Sequence, residues 1–470
     1  MEDRAARLTD EARKPAPDAP HVAVVGGGWS GCAAAVTLAH AGVAVTLFEQ
    51  AATLGGRARR VALDGMSLDN GQHLIVGAYR HTLAAIRRVH GDDTDALFHR
   101  LPMTMRPFGA ARAEAVALTA WRAPAPLHIV LGALAARGLD MRDRAGLVTA
   151  FRRLLRTARQ GVDKETVTQH LADTSLHAMA AVWEPLCISA LNTPPESASA
   201  RVFGNVVRAT FTGSARNSDF LVPAVDLSAL FPDAAARYVS RRGGTVRTGA
   251  TVRAIEPRSA GVGVALGAEH QSFDAAVIAV GPHQLAAAVG SDDAGRAALR
   301  GALEQVAAFA YESITTVYLA YAERVALPIP VMRLDDAPGQ WVFDRTEALA
   351  AAGPAGARGL VAVVISTNGP HDALDRDALA NGADAQLRRL ARQWPLPVWS
   401  RVIAERRATY SCTPGLARPT HCHVAPNLYL AGDYTDPDLP ATLEAATRTG
   451  IAAARALLAD MKGPRPNLTH

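Results

Sequence analysis

Three glycines, Gly26, Gly28 and Gly31, are spaced G-x-G-x-x-G, which suits a backbone wrapped around a pyrophosphate. One permits a tight turn, one lets the chain approach the phosphates, and one lets a helix pack closely on a strand. Trp29 and Ser30 lie within the pattern and would open that helix, whose first amides attract anions. Glu49 stands 23 residues after Gly26, with Gln50 beside it. A carboxylate there accepts hydrogen bonds from ribose hydroxyls and repels a 2′-phosphate, which disfavours NADP. Gly55-Gly56-Arg57 adds two points of close backbone approach and a guanidinium able to reach phosphate. A nicotinamide dehydrogenase does not need this second loop.

The elements that must hold these residues are legible around them. The run His21 to Val25 is short, rich in valine and ends at glycines, as a buried parallel strand does. A helix from about Ser30 to His40, ended by Gly42, and a strand from Val43 to Glu49 complete a βαβ unit. Residues 80–220 read as mostly helical, broken by proline-rich stretches at 123–127 and 192–195. A helix from Asp226 to Arg241 precedes short strands around 245–255, 262–266 and 273–280. Two more strands, 314–321 and 360–366, bracket a stretch read as irregular, with Gly339-Gln340-Trp341 and Asp344-Arg345. Asn427 to Ala431 is a last strand, followed after Pro440 by a helix to about Asp460.

Composition excludes several classes. With 470 residues, 49% hydrophobic and 20% charged, the chain is globular. Its net charge of +5 comes from arginines scattered among acids, and only 5% of residues are aromatic, so nucleic acid is not an expected partner. Four cysteines, Cys32, Cys187, Cys412 and Cys422, form neither a disulfide framework nor a CxxC pair, which suits a reducing compartment. His421, Cys422 and His423 lack a third and fourth ligand nearby, and no metal is expected. The first twenty residues carry acids and no apolar core, and read as a flexible tail. No apolar run reaches the roughly 18 residues of a membrane span.

The paired glycine loops resemble the FAD-binding fold shared by glutathione-reductase-type and amine-oxidase-type flavoproteins. Asn427-Leu-Tyr-Leu-Ala-Gly-Asp433 resembles the second flavin motif of that superfamily. The resemblance assigns Gly432 and Asp433 to the ribityl or pyrophosphate region. It aims the helix that opens near Ala441 and Thr442 at the flavin N1/C2=O edge, and it gives Val252, read as lying in a strand, a backbone contact with adenine. It also brings the loop Asp69-Asn-Gly-Gln-His73, followed by Gly77-Ala-Tyr79, near the isoalloxazine. His73, with an unperturbed pKa of about 6.5, is there a candidate proton donor, the other reading being a structural hydrogen-bond donor.

Over most of residues 20–460 the chain resembles the bacterial squalene-associated FAD-dependent enzymes, the hydroxysqualene dehydroxylases, relatives of the phytoene desaturases. The carriers are DNGQHLIVGAY at 69–79, WEPLCISALNTP at 183–194, LVPAVDLSALFP at 221–232, GQWVFDR at 339–345, RATYSCTPG at 407–415 and LAGDYTDPDLPATLEAA at 430–446. Ala35 stands where many relatives of the dinucleotide motif have a fourth glycine, and a residue this small still permits close packing. The resemblance implies an α/β fold: a discontinuous Rossmann-like FAD-binding domain from 21–90, 221–300 and 408–460, with an inserted α+β substrate domain from 91–220 and 301–407. Tails of 1–20 and 461–470 flank it. It implies reductive removal of an allylic hydroxyl from hydroxysqualene, giving squalene for hopanoid synthesis, with His73, Tyr410 and Cys412 as candidate polar groups of the cavity. Cys187 and Asn192 lie in the presumed substrate region. The implied partners are a long isoprenoid, an electron donor the sequence does not identify, and a membrane met peripherally from the cytoplasm, with 127–134 as a candidate contact. A carotenoid-type desaturase, an amine oxidase and a prenyl-protein escort of the same fold remain as alternatives.

Overall fold

The computed structural model describes residues 14–63, 66–92, 94–109, 116–160, 163–347, 356–420 and 422–462. Parts of both expected tails, 1–13 and 463–470, and His421 lie outside them. Strands β1 (His21–Val25), β2 (Ala44–Phe48), β3 (Thr245–Arg247), β4 (Ala275–Ile278), β5 (Cys422–Ala425) and β6 (Leu428–Leu430) make a six-stranded sheet in the order β3-β2-β1-β4-β6-β5. All neighbours are parallel except β5 and β6. Strands β1 and β4 sit in the middle, covered on both faces, which is why they are apolar after the exposed His21 and do not alternate.

Helix α1 (Trp29–His40) returns the chain from β1 to β2, and helix α2 (Leu443–Lys462) crosses it near its start. The crossing is tight because a Cβ on Gly450 would lie 2.1 Å from the Ser30 carbonyl oxygen. Only glycine lets the two backbones meet there. The helical reading of Asp226 to Arg241 resolves into two helices, Leu227–Leu230 and Pro232–Arg241, because Pro232 has no amide to continue the first.

A second, antiparallel sheet runs in the order Val331–Arg333, Trp341–Asp344, Gly359–Ser366, Tyr311–Tyr321, Trp399–Tyr410. Its two-residue alternation separates two faces. Val317, Leu319, Val342 and Val363 pack in one apolar core with the Arg376–Leu390 helix, while Tyr318, Trp341, Phe343 and Val364 belong to another. The stretch 339–345, expected to be irregular, is therefore largely a strand. The longest strand, Trp399–Tyr410, was not expected, since Arg401, Glu405, Arg406 and Arg407 mask its periodicity. Residues 91–220 also hold more strand than expected. Phe98–Leu101 and Ile75–Val76 both pair with Phe220–Pro223, joining segments on either side of positions 90 and 220. No helix among the described residues is long and apolar enough to cross a membrane.

A separate hairpin, Arg60–Leu63 with Met66–Asp69, is joined to the antiparallel sheet by a buried ion pair, Arg345 Nη2 to Asp69 Oδ2 at 3.3 Å. Arg345 also donates to the Pro223 carbonyl at 2.6 Å, and Asp69 Oδ1 accepts the Leu227 amide at 2.8 Å. Tyr318 donates its hydroxyl to the Asp69 carbonyl at 2.8 Å. Burial raises the Asp69 carboxyl to about 6, against the opposing pull of Arg345. Arg345→Leu strands this carboxylate without its partner and should cost about 3–5 kcal/mol in urea denaturation. A loss below about 1 kcal/mol, the usual worth of a surface pair, would contradict this role.

Candidate functional site

The carboxyl ends of β1, β2 and β4 open on a cavity of about 970 Å³, at the upper end of ligand-pocket sizes. Gly26, Gly28, Trp29 and Ser30 form its wall where β1 turns into α1. Gly31 lies behind, against the Gly26 carbonyl. The Trp29 indole donates to the Ala58 carbonyl at 2.9 Å, which ties the helix start to the second glycine loop. Helix α1 has no side-chain cap and no acid in its first turn, so its amides face the cavity with their positive end free. Ser30 Oγ is buried there and has no hydrogen-bond partner among the described residues.

Glu49, at the end of β2, is buried on the same wall, with Gln50 next to it. Its Oε2 accepts the Gly27 amide at 2.7 Å and its Oε1 the Ala51 amide at 2.8 Å. Each oxygen keeps a lone pair, so the carboxylate is held in one orientation and can still accept from a hydroxyl. Gly55 and Gly56 form the facing loop. Gly56 has a φ of +60°, and a Cβ there would come within 3.2 Å of the Gly28 Cα. Side chains on these two loops would fill the space a ligand backbone must occupy. Val252 borders the cavity too, but in the connection after β3 and not in a strand as expected, because the Arg253 amide already turns toward Ala265.

The opposite end of the chain closes the site. Arg57 Nη2 donates to both carboxylate oxygens of Asp433 at 2.7 Å, and its Nη1 to the Ala408 carbonyl at 2.8 Å. Burial works against the guanidinium charge, but Asp433 outweighs it and holds the group protonated. Gly432 and Asp433 follow β6, and Ala441 and Thr442 precede α2, all bordering the cavity. Thr442 Oγ1 accepts the Ala445 amide at 3.1 Å, so α2 begins with its own hydroxyl cap. Glu444 turns away to accept the His81 and Thr82 amides at 3.0 and 2.9 Å, which caps the Arg80–His90 helix instead.

Beyond this polar end the cavity continues into an apolar arm walled by Phe203, Val207, Phe211, Ile314, Trp341 and Phe343. Its polar groups are few and mostly committed. Asn192, in left-handed backbone, donates to Thr409 Oγ1 at 3.0 Å and accepts the Thr367 amide at 2.9 Å. The Thr409 hydroxyl borders the cavity and donates to no protein group among the described residues. His73 borders the cavity as well, with Nδ1 3.3 Å from the Gly71 carbonyl, so this nitrogen carries the proton. Burial pushes its pKa down to about 4. Near neutral pH it therefore offers Nε2 as an acceptor and makes a poor proton donor, contrary to the expected role.

Tyr410 and Cys412 are not cavity groups. Tyr410 is buried beneath the wall, where its hydroxyl accepts from Arg418 Nη1 at 2.7 Å. Cys412 is buried with its amide donating to Thr193 Oγ1 at 3.0 Å, and burial lifts its thiol to about 12. Both follow the strand Trp399–Tyr410 into the core, a path hidden by the charges that masked that strand. Thr409, the residue before Tyr410, reaches the cavity instead, and nothing in its isolated type marked it.

The site fits FAD on three independent features: the partnerless Ser30 hydroxyl at an open helix start, the Gly28–Gly56 cradle, and the oriented Glu49 carboxylate. The profile of the flavin containing amine oxidoreductases matches residues 29–458. The chain is 28% identical over 466 residues to the hydroxysqualene dehydroxylase of Rhodopseudomonas palustris, covering 93% of this chain and 98% of that one. It is 26% identical to the hydroxysqualene dehydroxylase of Sinorhizobium fredii, over 94% and 99% of the two chains. Among solved structures, an oxidoreductase from Methanosarcina mazei superposes with a TM-score of 0.71 at 16% identity, over 93% and 99%.

Two outcomes test this geometry. Ser30→Ala should weaken FAD binding in a fluorescence titration by about 0.5–1.5 kcal/mol while leaving apoprotein stability unchanged or slightly raised, since a partnerless hydroxyl is removed. Unchanged affinity would place the phosphates elsewhere. For His73, the folded pKa of about 4 lies below the ordinary 6.5, so the unfolded chain binds the proton first as pH falls. The folded protein should lose stability between those values, and His73→Gln should lose less. Parallel losses in the two proteins would refute a buried neutral imidazole.

Proposed function

The chain belongs to the flavin containing amine oxidoreductases, with FAD as its cofactor, and from that premise we propose that it reductively dehydroxylates hydroxysqualene to squalene on the way to hopanoids. The observation that carries this reading is that the cavity bordered by the FAD-binding residues is also walled by a set of aromatic and aliphatic side chains. A hydrocarbon gains about 0.8 kcal/mol for each methylene moved from water into such a wall, so a long isoprenoid is held by length rather than by polar contacts. The naming of two full-length relatives as hydroxysqualene dehydroxylases agrees with it.

Gly26, Gly28, Glu49, Gly56 and Arg57 would hold FAD, which when bound and reduced would supply hydride chemistry. The chain's own residues do the rest. Phe203, Phe211, Trp341 and Phe343 exclude water from the reacting carbon. Thr409, whose oxygen accepts from Asn192, keeps its proton free to donate to the departing oxygen, which leaves as water while Thr409 regains a proton from solvent. His73 Nε2 is an acceptor that orients the substrate hydroxyl. Asn192, locked by Ser313, Thr367 and Thr409, positions the Thr409 hydroxyl and does not itself reach the substrate. The electron donor is left unassigned, and we place the enzyme in the cytoplasm, meeting a membrane peripherally to collect its substrate.

A purified protein with a flavin spectrum, supplied with chemically reduced FAD and hydroxysqualene, should yield squalene, scored by mass spectrometry beside phytoene under oxidising conditions. Conversion of phytoene alone would make the chain a carotenoid-type desaturase. A colourless protein that no FAD restores would favour a prenyl-protein escort. Thr409→Val should lower kcat by about 10²-fold with little change in KM if its proton is used in the reaction.

A further inference from the structure

Of the eight exposed large apolar side chains among the described residues, five fall within residues 121–176, the others being Leu374, Leu396 and Val398. Trp121, Leu127, Leu134, Met141 and Leu176 are all exposed, Met141 by 73% and Leu176 by 89%. Hydrogen bonds tie them into two local groups. Trp121 donates its amide to the His128 carbonyl at 2.9 Å, which seats it beside the Leu127–Leu134 helix. The Met141–Gln160 helix follows, and its Asp143 accepts from Ser175 and from His177 at 2.8 Å, which brings Leu176 next to Met141.

The Leu127–Leu134 helix is the centre of this surface. It has no charged residue and three distinct faces. His128 and Gly132 press inward, where a Cβ on Gly132 would meet the Thr119 carbonyl at 2.5 Å. Ile129, Val130 and Ala133 wall a small apolar pocket of about 40 Å³. Leu127, Leu131 and Leu134, at i, i+4 and i+7, point outward, and two of them are exposed. The small pocket shares Met103, Leu186 and Phe211 with the main cavity, so these side chains border both spaces.

The charge around the patch is one-sided. Residues 121–157 contain seven arginines and two aspartates, and one of the aspartates, Asp143, is buried under Ser175 and His177. Arg122, Arg137 and Arg142 are exposed and form no ion pair among the described residues. An apolar face rimmed by unpaired arginines complements a bilayer with anionic headgroups, the apolar residues entering the interface and the arginines meeting phosphate.

We propose that this face, centred on Leu127, Leu131 and Leu134, docks on an anionic lipid bilayer, and that the pocket beneath the helix is the arm through which an isoprenoid passes from the bilayer into the cavity. The proposal rests on the isoprenoid reading for its cargo but not for its surface.

The test is co-flotation of the holoenzyme with vesicles of phosphatidylglycerol and phosphatidylethanolamine, and with vesicles of phosphatidylcholine alone, in the absence of substrate. The wild type should float with the anionic vesicles and far less with the neutral ones. Leu127→Glu/Leu134→Glu should bind the anionic vesicles at least about tenfold more weakly, since two outward leucines are replaced by charges repelled from anionic headgroups. Arg122→Glu/Arg137→Glu should weaken the same binding and abolish its lipid preference. Flavin content, and turnover of detergent-dispersed hydroxysqualene, should stay as in the wild type. Undiminished flotation of the leucine variant would overturn the proposal, as would a variant that turns a dimer into a monomer while vesicle binding persists. A wild type that binds vesicles as expected but makes no squalene from dispersed substrate would refute the isoprenoid reading and leave the docking surface standing.

Discussion

Arg57 and Asp433 lie 376 positions apart and meet through two hydrogen bonds of 2.7 Å. Both bonds come from Nη2 while Nη1 is committed to the Ala408 carbonyl, which leaves little freedom in either loop. The pair fixes the second glycine loop, Gly55-Gly56, opposite the start of α1, and it fixes the turn after β6 opposite the start of α2. Arg57 reaches a third segment through the Ala408 carbonyl, so the last turn of the longest strand of the second sheet is held to the same point. The cofactor site is therefore made from segments that have no local reason to be adjacent. The close crossing of α1 and α2 at Ser30 and Gly450 supports the same junction from behind.

A similar economy holds the apolar arm. Asp69 and Arg345 join the loop that follows the FAD-binding strands to the second sheet, and Pro223 and Leu227 complete the node through their backbone. Asn192 ties the end of one helix to Thr409 and Thr367. Sequence stretches that carry the family resemblance, at 69–79, 183–194, 221–232, 339–345 and 407–415, thus meet pairwise through buried polar bonds. Their spacing along the chain reflects contacts in space. Burying these bonds amid apolar walls leaves few free polar groups in the arm, as a hydrocarbon ligand requires.

The dinucleotide end was legible because its chemistry is local. G-x-G-x-x-G, Glu49 and Gly55-Gly56-Arg57 fall within 32 residues, each with a residue type that the turn or the ligand demands. Asp433 was legible through resemblance, but its bond to Arg57 was not, since nothing in either motif announces the other. The strand at 341–344 and the long strand at 399–410 were missed for a different reason. The first sits between glycine and a charged pair that look like a loop, and the second carries its charges in a row that hides a buried alternate face. Tyr410 and Cys412 were misplaced in consequence, and Thr409 was overlooked. His73 was placed correctly at the cavity, yet its protonation depends on burial and on the Gly71 carbonyl, neither of which a sequence displays.

If the two halves of the FAD site work as one through Arg57 and Asp433, a double-mutant cycle on FAD dissociation will reveal it. Arg57→Met, Asp433→Asn and the double variant should give a coupling energy of about 1–3 kcal/mol, because either single change already dissolves the junction. Effects that add to within about 0.5 kcal/mol would mean that the two loops bind the cofactor independently, and would contradict the account.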